Sequence, residues 1–168
     1  KYFKIKNGLW KNYNLWDLYD KAHTPFEWHN KLFEYAKKLG IIIFSTPFDE
    51  TAVDLLEKLK CPIYKISSFE NTDYVLLEKV AKTMKPIILS IGLASLKEVT
   101  EGIKIIKKYG CGKFAILKCT SNYPANIDDL NLETMDDLKK RFKCKVGLSD
   151  HTLGAVGSIA AAARGAEV

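Results

Sequence analysis

The chain has 168 residues, 47% of them hydrophobic and 27% charged, which suffices for one hydrophobic core but not for two typical domains. No hydrophobic segment approaches the roughly 20 residues that cross a bilayer, and the first residues lack the apolar segment of a signal peptide. The formal net charge of +6 rests on scattered lysines, with Arg141 and Arg164 as the only arginines, so we expect a solvated surface and neither a nucleic-acid nor a membrane partner.

The cysteines show no CxxC or other metal-binding spacing; they are Cys61, Cys111, Cys119 and Cys144. This pattern favours buried free thiols in the reducing cytoplasm, which is the predicted location of the protein. The modest positive charge also favours a small anionic ligand.

The segment before Thr24 is rich in aromatic residues and is predicted to be a loop with a short helix. A longer helix follows it. Thr24 is predicted as the N-cap of this helix, with Pro25 at the first helical position and Glu27 completing a capping box. Gly40 is predicted to end the helix.

From residue 41 onwards, short β-rich segments alternate with amphipathic helices. The predicted strands are residues 41–44, 62–66, 86–90, 113–118 and 145–149. Helix signals lie between them, such as Asp49 as an N-cap and Ser95 with Glu98 as a capping box. Strands this continuously apolar are typical of parallel sheets covered on both faces. Five βα units therefore predict an α/β fold, either an open doubly wound sheet or a closed barrel, which would need strands beyond both ends of this chain.

Small polar side chains lie at the end of each predicted strand or directly after it. These residues are Ser45 and Thr46; Ser67, Ser68 and Glu70; Ser90; Thr120, Ser121 and Tyr123; and Ser149, Asp150 and His151. Since the carboxyl ends of parallel strands lie at one edge of the sheet, we expect a ligand site there. Together with Lys65, which lies within a strand, the set has the donors and positive charge that bind a phosphate or carboxylate. Ser and Thr are also common helix N-caps, so a structural role for these hydroxyls stays open.

Three roles are open for His151 from its spacing alone: metal ligand, general acid or base, and structural residue. Asp150 precedes it and is predicted to orient the imidazole ring. A metal would need a second strong ligand from elsewhere, because a single histidine does not hold a catalytic metal tightly.

Five ordered motifs resemble barrel motifs of the bacterial sialic acid synthase family. They are FSTPFD (44–49), YKISSFEN (64–71), KPIILSIGLAS (85–95), LKCTSNYP (117–124) and VGLSDHTLG (146–154). The aromatic N-terminal segment, and Phe69 where sialic acid synthases usually carry glycine, resemble the pseudaminic acid branch of that family. The resemblance implies that residues 1–168 are an incomplete (β/α)8 TIM barrel of about five to six βα units. The first two strands, the last strand and a C-terminal antifreeze-like domain would then be missing.

The family resemblance also implies an enzyme that condenses phosphoenolpyruvate with an amino-hexose, a diacetamido-trideoxy-altrose, to form pseudaminic acid and release phosphate. The residues implied to bind the substrates are Thr46, Lys65, Ser68, Ser90, Ser121, Tyr123 and Ser149. Lys65, Glu70 and His151 are implied to be catalytic, and His151 to be one of two histidines that bind a divalent metal, typically manganese. The second histidine would lie past Val168. The full-length protein is expected to be a homodimer, and residues 1–168 alone to be inactive or poorly folded.

Two alternatives are kept. An N-acetylneuraminate or legionaminic acid synthase would use a different hexose, whereas a non-catalytic anion-binding α/β module would use the hydroxyls only as helix caps. The role of Lys118, a variable position in the family, is left open.

Overall fold

The computed structural model describes residues 3–110 and 112–168, so the prediction of a buried thiol at Cys111 lies outside the described residues. The chain divides into two compact units, one ending at Ile41 and the other comprising Ile42–Val168. Of the remaining cysteines, Cys61 and Cys119 are buried free thiols, as predicted, and Cys144 is a half-buried one. No helix in the described part of the chain is both long and apolar enough to cross a bilayer.

The first unit contains two helices, α1 (Leu15–Ala22) and α2 (Phe26–Leu39). The predicted short helix is therefore confirmed as α1, and Asn14 caps it by accepting a hydrogen bond from Trp16 N at 2.9 Å. Gly40 ends α2 in the left-handed conformation, with φ of 68°, as predicted.

The predicted start of α2 is wrong. Pro25 has an extended ψ of 140° and is itself the N-cap, and no side chain caps the helix. Thr24 therefore precedes the N-cap by one residue. From that position its side chain does not cap the first N–H groups of the helix, and the predicted capping box with Glu27 does not form.

The second unit is an α/β layer with a parallel sheet. Within residues 42–110 and 112–168, four strands pair in chain order. The strands are β1 (Tyr64–Ile66), β2 (Ile87–Ile91), β3 (Phe114–Cys119) and β4 (Lys145–Ser149). The helices are α3 (Glu50–Lys58), α4 (Tyr74–Ala81), α5 (Leu96–Tyr109), α6 (Glu133–Phe142) and α7 (Val156–Ala163), with short 3-10 helices at Glu70–Thr72 and Ile127–Asp129. Four of the five predicted strands are therefore confirmed, with bounds shifted by two residues at most.

The predicted strand at 41–44 is wrong. Only Ser45 pairs with β1, through an isolated parallel bridge to Tyr64. The partner strand has only three residues, and Pro47 has no N–H with which to continue a ladder beyond Ser45. Without a ladder this segment stays exposed, as Ile42 shows with 78% of its surface accessible.

The helix caps of the second unit follow the sequence. The Asp49 carboxylate accepts a hydrogen bond from Ala52 N at 2.9 Å at the start of α3. Ser95 and Glu98 form the predicted capping box of α5. Each such cap stabilises a helix by about 1 kcal/mol because it satisfies N–H groups that the helix leaves without partners.

The two faces of the sheet differ in chemistry. One face carries a register row of Ile66, Leu89, Ile116 and Val146, none more than 2% exposed, and forms the hydrophobic core. The opposite face carries Lys65 in β1, Ser90 in β2 and Ser149 in β4, because side chains alternate along each strand. The polar side chains therefore share one face and lie toward its carboxyl edge.

The segment 166–168 lies beside β4 without forming a regular strand. Glu167 N donates to Val146 O at 2.9 Å, and Leu148 N donates to Val168 O at 3.2 Å. A Cβ at Gly147 would lie 1.8 Å from Val168 O, so this close pairing needs glycine in β4.

Candidate functional site

Two ionisable groups lie at the carboxyl end of β1. Lys65 is half-buried, and this burial lowers the pKa of its ammonium, although the charges of Cys119 and Glu70 act in the opposite sense. Burial likewise raises the pKa of the Glu70 carboxyl. Ser67 Oγ donates a hydrogen bond to the Glu70 carboxylate, which gives Ser67 a role that sequence reasoning did not assign. The site therefore holds a lysine and a carboxyl group that are both easier to neutralise than usual.

Ser90 is the clearest sign of a missing ligand. Its side chain is 1% exposed, lies on the same face of the sheet as Lys65, and its Oγ has no hydrogen-bond partner in the described part of the chain. A buried hydroxyl without a partner costs about 1–3 kcal/mol, so its retention points to a hydrogen bond made to a bound molecule.

Asn71, which sequence reasoning missed, joins the ends of β1 and β2. It is 1% exposed, and its Nδ2 donates to the backbone carbonyls of Ser68 at 2.8 Å and Ser90 at 3.3 Å. The signal available in the sequence was an amide directly after a carboxylate at a strand end. Asn71 therefore fixes the spacing of two segments that carry predicted site residues.

The residues that follow β1, β2 and β3 come into close contact with one another. Ser68 Oγ, after β1, lies 2.7 Å from Ser121 Oγ, after β3. Gly92, after β2, lies between them: a Cβ at this position would be 2.2 Å from Ser121 Oγ and 2.4 Å from Ser68 Oγ. Sequence reasoning predicted both serines but missed the glycine that lets them meet.

His151 is held by the loop that follows β3. Its Nδ1 lies 2.9 Å from the carbonyl oxygen of Thr120, and a carbonyl only accepts, so Nδ1 carries the proton. Nε2 is then the acceptor atom of the ring, and Ser149 Oγ donates to it at 3.5 Å. The ring of Tyr123 stacks on the imidazole with centroids 4.1 Å apart. An imidazole held this way, with Nδ1 as the donor, has the tautomer and orientation of a metal ligand.

The prediction that Asp150 orients His151 is wrong. Asp150 Oδ1 accepts from Thr152 N at 2.9 Å and from Thr152 Oγ1 at 2.8 Å, and Oδ2 accepts from Ser158 Oγ at 2.7 Å. Burial favours the neutral acid, but these hydrogen bonds and one from Ser158 N outweigh it and lower the pKa of the carboxyl. Ala155, the N-cap residue of α7, offers no side-chain acceptor, so Asp150 acts as the cap from outside the helix.

We expect Asp150→Ala to destabilise the protein by about 1 kcal/mol, as loss of a helix cap does, and Asp150→Asn to cost less because an acceptor oxygen remains. Since the folded-state pKa lies below the ordinary 3.8, this stabilisation is present above that pH and is lost as pH falls through the lowered value. Urea denaturation of the wild type and both variants, at several pH values from roughly 3 to 7, measures this contribution to the free energy of unfolding. Equal stability of wild type and Asp150→Ala at pH 7 would contradict the capping role.

Thr46 is the predicted site residue that the structure connects least. It is half-buried and follows Ser45, which pairs with β1. No hydrogen bond of its side chain to the other predicted site residues is seen within residues 3–110 and 112–168. Thr46 therefore follows the residue that pairs with β1 but makes no direct hydrogen bond to the other predicted site residues.

The described residues supply one candidate metal ligand. No group of three or more His, Cys, Asp or Glu side chains that could hold a metal occurs among residues 3–110 and 112–168. His151 fits a metal through Nε2, which would exchange its hydrogen bond with Ser149 for the metal, and the further ligands would have to come from outside the described residues.

A parallel four-stranded sheet with helices, and with a lysine, hydroxyls and an imidazole toward its carboxyl edge, is the architecture of part of an α/β barrel. The chain belongs to the NeuB family, which matches residues 1–168, and the resemblance to the sialic acid synthases is thereby confirmed. The chain is 48% identical to the pseudaminic acid synthase of Helicobacter pylori over 166 residues, which is 99% of this chain and 49% of that protein. It is 42% identical to the pseudaminic acid synthase of Campylobacter jejuni, again over 99% of this chain and 48% of that protein. The chain spans about half the length of the curated relatives it matches.

Solved structures agree with this assignment. The crystal structure of the N-acetylneuraminic acid synthetase of Leptospira borgpetersenii has a TM-score of 0.86 and 34% identity, over 90% of this chain and 53% of that one. A truncated 3-deoxy-D-arabino-heptulosonate 7-phosphate synthase of Thermotoga maritima has a TM-score of 0.72 at 18% identity, over 86% of this chain and 58% of that one, which supports the fold alone. The prediction of an incomplete TIM barrel is confirmed by these neighbours.

Proposed function

We propose that the full-length protein condenses phosphoenolpyruvate with a diacetamido-trideoxy-altrose to form pseudaminic acid, with release of phosphate. The names of its relatives support the reaction class, since the Helicobacter pylori protein is a pseudaminic acid synthase. The observation that carries the proposal is the buried Ser90 hydroxyl, which lacks a partner in the described chain and shares its face of the sheet with Lys65. An anion is the ligand that both groups would bind.

The enolpyruvyl anion would lie along the polar face of the sheet. The Lys65 ammonium and the hydroxyls of Ser90 and Ser149 supply donors from three strands of that face. Thr46 and the paired hydroxyls of Ser68 and Ser121 would complete the site. Donors held by separate strands are preorganised, so they bind the anion without reorganising during the reaction.

The proposed reaction forms one carbon–carbon bond. C3 of phosphoenolpyruvate attacks the aldehyde carbon of the open-chain sugar, water adds at C2, and the resulting tetrahedral centre expels phosphate to leave the C2 carbonyl. Lys65 and the hydroxyls would stabilise the phosphate as it leaves. Glu70, whose raised pKa places it closer to neutrality, and Tyr123, which is exposed at the same edge, would face the sugar.

His151 would hold a divalent metal, which we propose to be Mn²⁺. The Thr120 carbonyl keeps the proton on Nδ1, so Nε2 is the atom that would bind it. When bound, the metal would supply Lewis-acid activation of the sugar aldehyde. The same proposal includes a second metal-binding histidine past Val168 in the full-length protein. It also includes two barrel strands before residue 1, a final strand and a C-terminal antifreeze-like domain. The full-length protein would be a cytoplasmic homodimer.

The decisive experiment assays phosphate release by the full-length protein with phosphoenolpyruvate, Mn²⁺ and either of two hexoses. We expect turnover with the diacetamido-trideoxy-altrose and at least about a hundredfold lower kcat/KM with N-acetylmannosamine, since a polar site rejects a mismatched hydroxyl pattern strongly. Full turnover with N-acetylmannosamine alone would make the protein a sialic acid synthase. No Mn²⁺-dependent phosphate release by the full-length protein with any hexose, and therefore no activity for His151→Ala or Lys65→Ala to lower, would leave a non-catalytic anion-binding module.

A further inference from the structure

Lys118 lies on the face of β3 opposite the proposed anion site. Its neighbour Cys119 is in register with Ser149 and therefore points to the polar face of the sheet. Because adjacent side chains of a strand point to opposite faces, the Lys118 side chain points to the other face. Nζ donates to Thr120 Oγ1 at 2.8 Å and to the carbonyl oxygens of Cys119 and Asp129, both at 3.4 Å. The ammonium therefore bonds to atoms at both ends of the loop 120–129 and is directed away from the polar face.

Thr120 links this lysine to the loop. Its Oγ1 accepts from Lys118 and donates to the Asp129 carbonyl at 3.1 Å, so the side chain closes the base of the loop 120–129. Burial lowers the pKa of Lys118, while the charges of Cys119 and Asp129 oppose that change. A half-buried lysine with three oxygen acceptors is a structural donor and not a solvated surface charge.

The same loop holds the imidazole in two ways. The Thr120 carbonyl accepts a hydrogen bond from Nδ1 of His151, and the ring of Tyr123 stacks on the imidazole. Ala125 N also donates to the His151 carbonyl at 2.8 Å, which ties the loop to the end of β4. The position of the loop therefore decides where Nε2 of His151 points.

We propose that Lys118 is a positioning residue: through Thr120 it fixes the loop 120–129 and thereby the direction of the His151 imidazole. This inference rests on the proposed function, in which His151 binds a divalent metal. Partners behind a metal ligand hold the ligand in its binding orientation, and their loss weakens metal binding by about 10–100-fold. Lys118 would thus act on the metal without touching it or either substrate.

The experiment measures the Kd of Mn²⁺ for the full-length protein from the electron paramagnetic resonance of free Mn²⁺. We expect Lys118→Met and Thr120→Val to raise this Kd by about tenfold or more, because each removes the hydrogen bond at the base of the loop. Lys118→Arg and Thr120→Ser keep a donor and a hydroxyl, so we expect values within about threefold of wild type. The matched control is Lys113→Met, an exposed lysine just before the other end of β3.

A second measurement separates positioning from general damage. The KM for phosphoenolpyruvate should change less than the Kd of Mn²⁺ in Lys118→Met, because Lys65, Ser90 and Ser149 of the anion site lie on strands and only Ser121 lies on the loop 120–129. An unchanged Mn²⁺ Kd in both Lys118→Met and Thr120→Val would overturn the inference, as would equal losses of Mn²⁺ and phosphoenolpyruvate binding that Lys118→Arg does not restore. If His151→Ala leaves Mn²⁺ binding intact, the proposed metal role of His151 fails and the inference with it.

Discussion

Replacing Lys65 by methionine in the full-length protein is expected to lower kcat/KM for phosphoenolpyruvate by about a thousandfold. The ammonium is the positive charge that β1 places on the polar face of the sheet, and it is half-buried, so its interaction with an anion is strong. Removing one preorganised donor from such a site costs about 10²–10³ in rate, and the loss of a charge adds to that. Steady-state kinetics at saturating hexose and Mn²⁺ measure the effect.

Two variants control for the Lys65 experiment. Lys145→Met removes an exposed lysine of β4 whose ammonium lies 3.8 Å from Glu167, and we expect wild-type kinetics. Lys65→Arg keeps the charge, but the longer planar guanidinium does not match the ammonium, so we expect partial activity at most. A loss of less than about fivefold in Lys65→Met would contradict the assignment of Lys65 to the anion site.

The pH dependence of the wild type follows from the same burial. Because burial lowers the pKa of Lys65, its charge is lost at a lower pH than the ordinary 10.5. The basic limb of kcat/KM, which reports the free enzyme, should therefore lie below that value. In Lys65→Arg the limb should move upward, since the guanidinium keeps its proton throughout this range. An identical basic limb in both proteins would assign it to another group.

Gly92→Ala is expected to lower kcat/KM by about a hundredfold, because displacing site groups by roughly 1 Å has an effect of that size. The added Cβ would lie 2.2 Å from Ser121 Oγ and 2.4 Å from Ser68 Oγ, so the contact between the two hydroxyls could not persist. Steady-state kinetics measure the effect, and thermal unfolding of the same preparation shows whether the variant is still folded.

A compensating variant distinguishes the clash from general misfolding. Gly92→Ala with Ser121→Ala removes the nearer of the two oxygens, and we expect it to recover about tenfold of the activity lost by Gly92→Ala. Ser121→Ala alone is the reference, since it lacks one hydroxyl without adding a clash. If the double variant is no better than Gly92→Ala, contact with Ser121 is not the cause of the loss.

Local chemistry made much of the fold predictable. The bounds of β4 at 145–149 match the sequence prediction, and so do the caps at Asp49 and Ser95. These features depend on residues that lie close together in the chain. The segment 41–44 looks as apolar as the confirmed strands, but a strand also needs a partner of sufficient length, and β1 has only three residues. Sequence patterns near residue 41 carry no information about that partner.

The candidate site was likewise predictable only in part from the sequence. Ser68 after β1, Ser90 near the end of β2, Ser121 after β3 and the lysine in β1 are recognisable as polar residues near strand ends, and the family motifs reinforce them. The contribution of the Thr120 carbonyl was not predictable, because every residue has a carbonyl and only the fold decides which one meets His151. Asp150 stands next to His151 in sequence, yet its carboxylate hydrogen-bonds to Thr152 and Ser158, and the imidazole hydrogen-bonds to the Thr120 carbonyl. Proximity in sequence therefore suggested the wrong partner.

The amino-acid sequence by itself determined the α/β class, the parallel strands, the lysine and hydroxyls at their carboxyl ends, and the family. These are consequences of hydrophobic period and of chemistry that each residue carries with it. The tertiary structure decided that Asp150 caps α7, that Gly92 lets two serines meet, and that Lys118 holds the loop behind His151. Such contacts join residues from separate strands and loops, and their distances exist only once the sheet has brought those segments together.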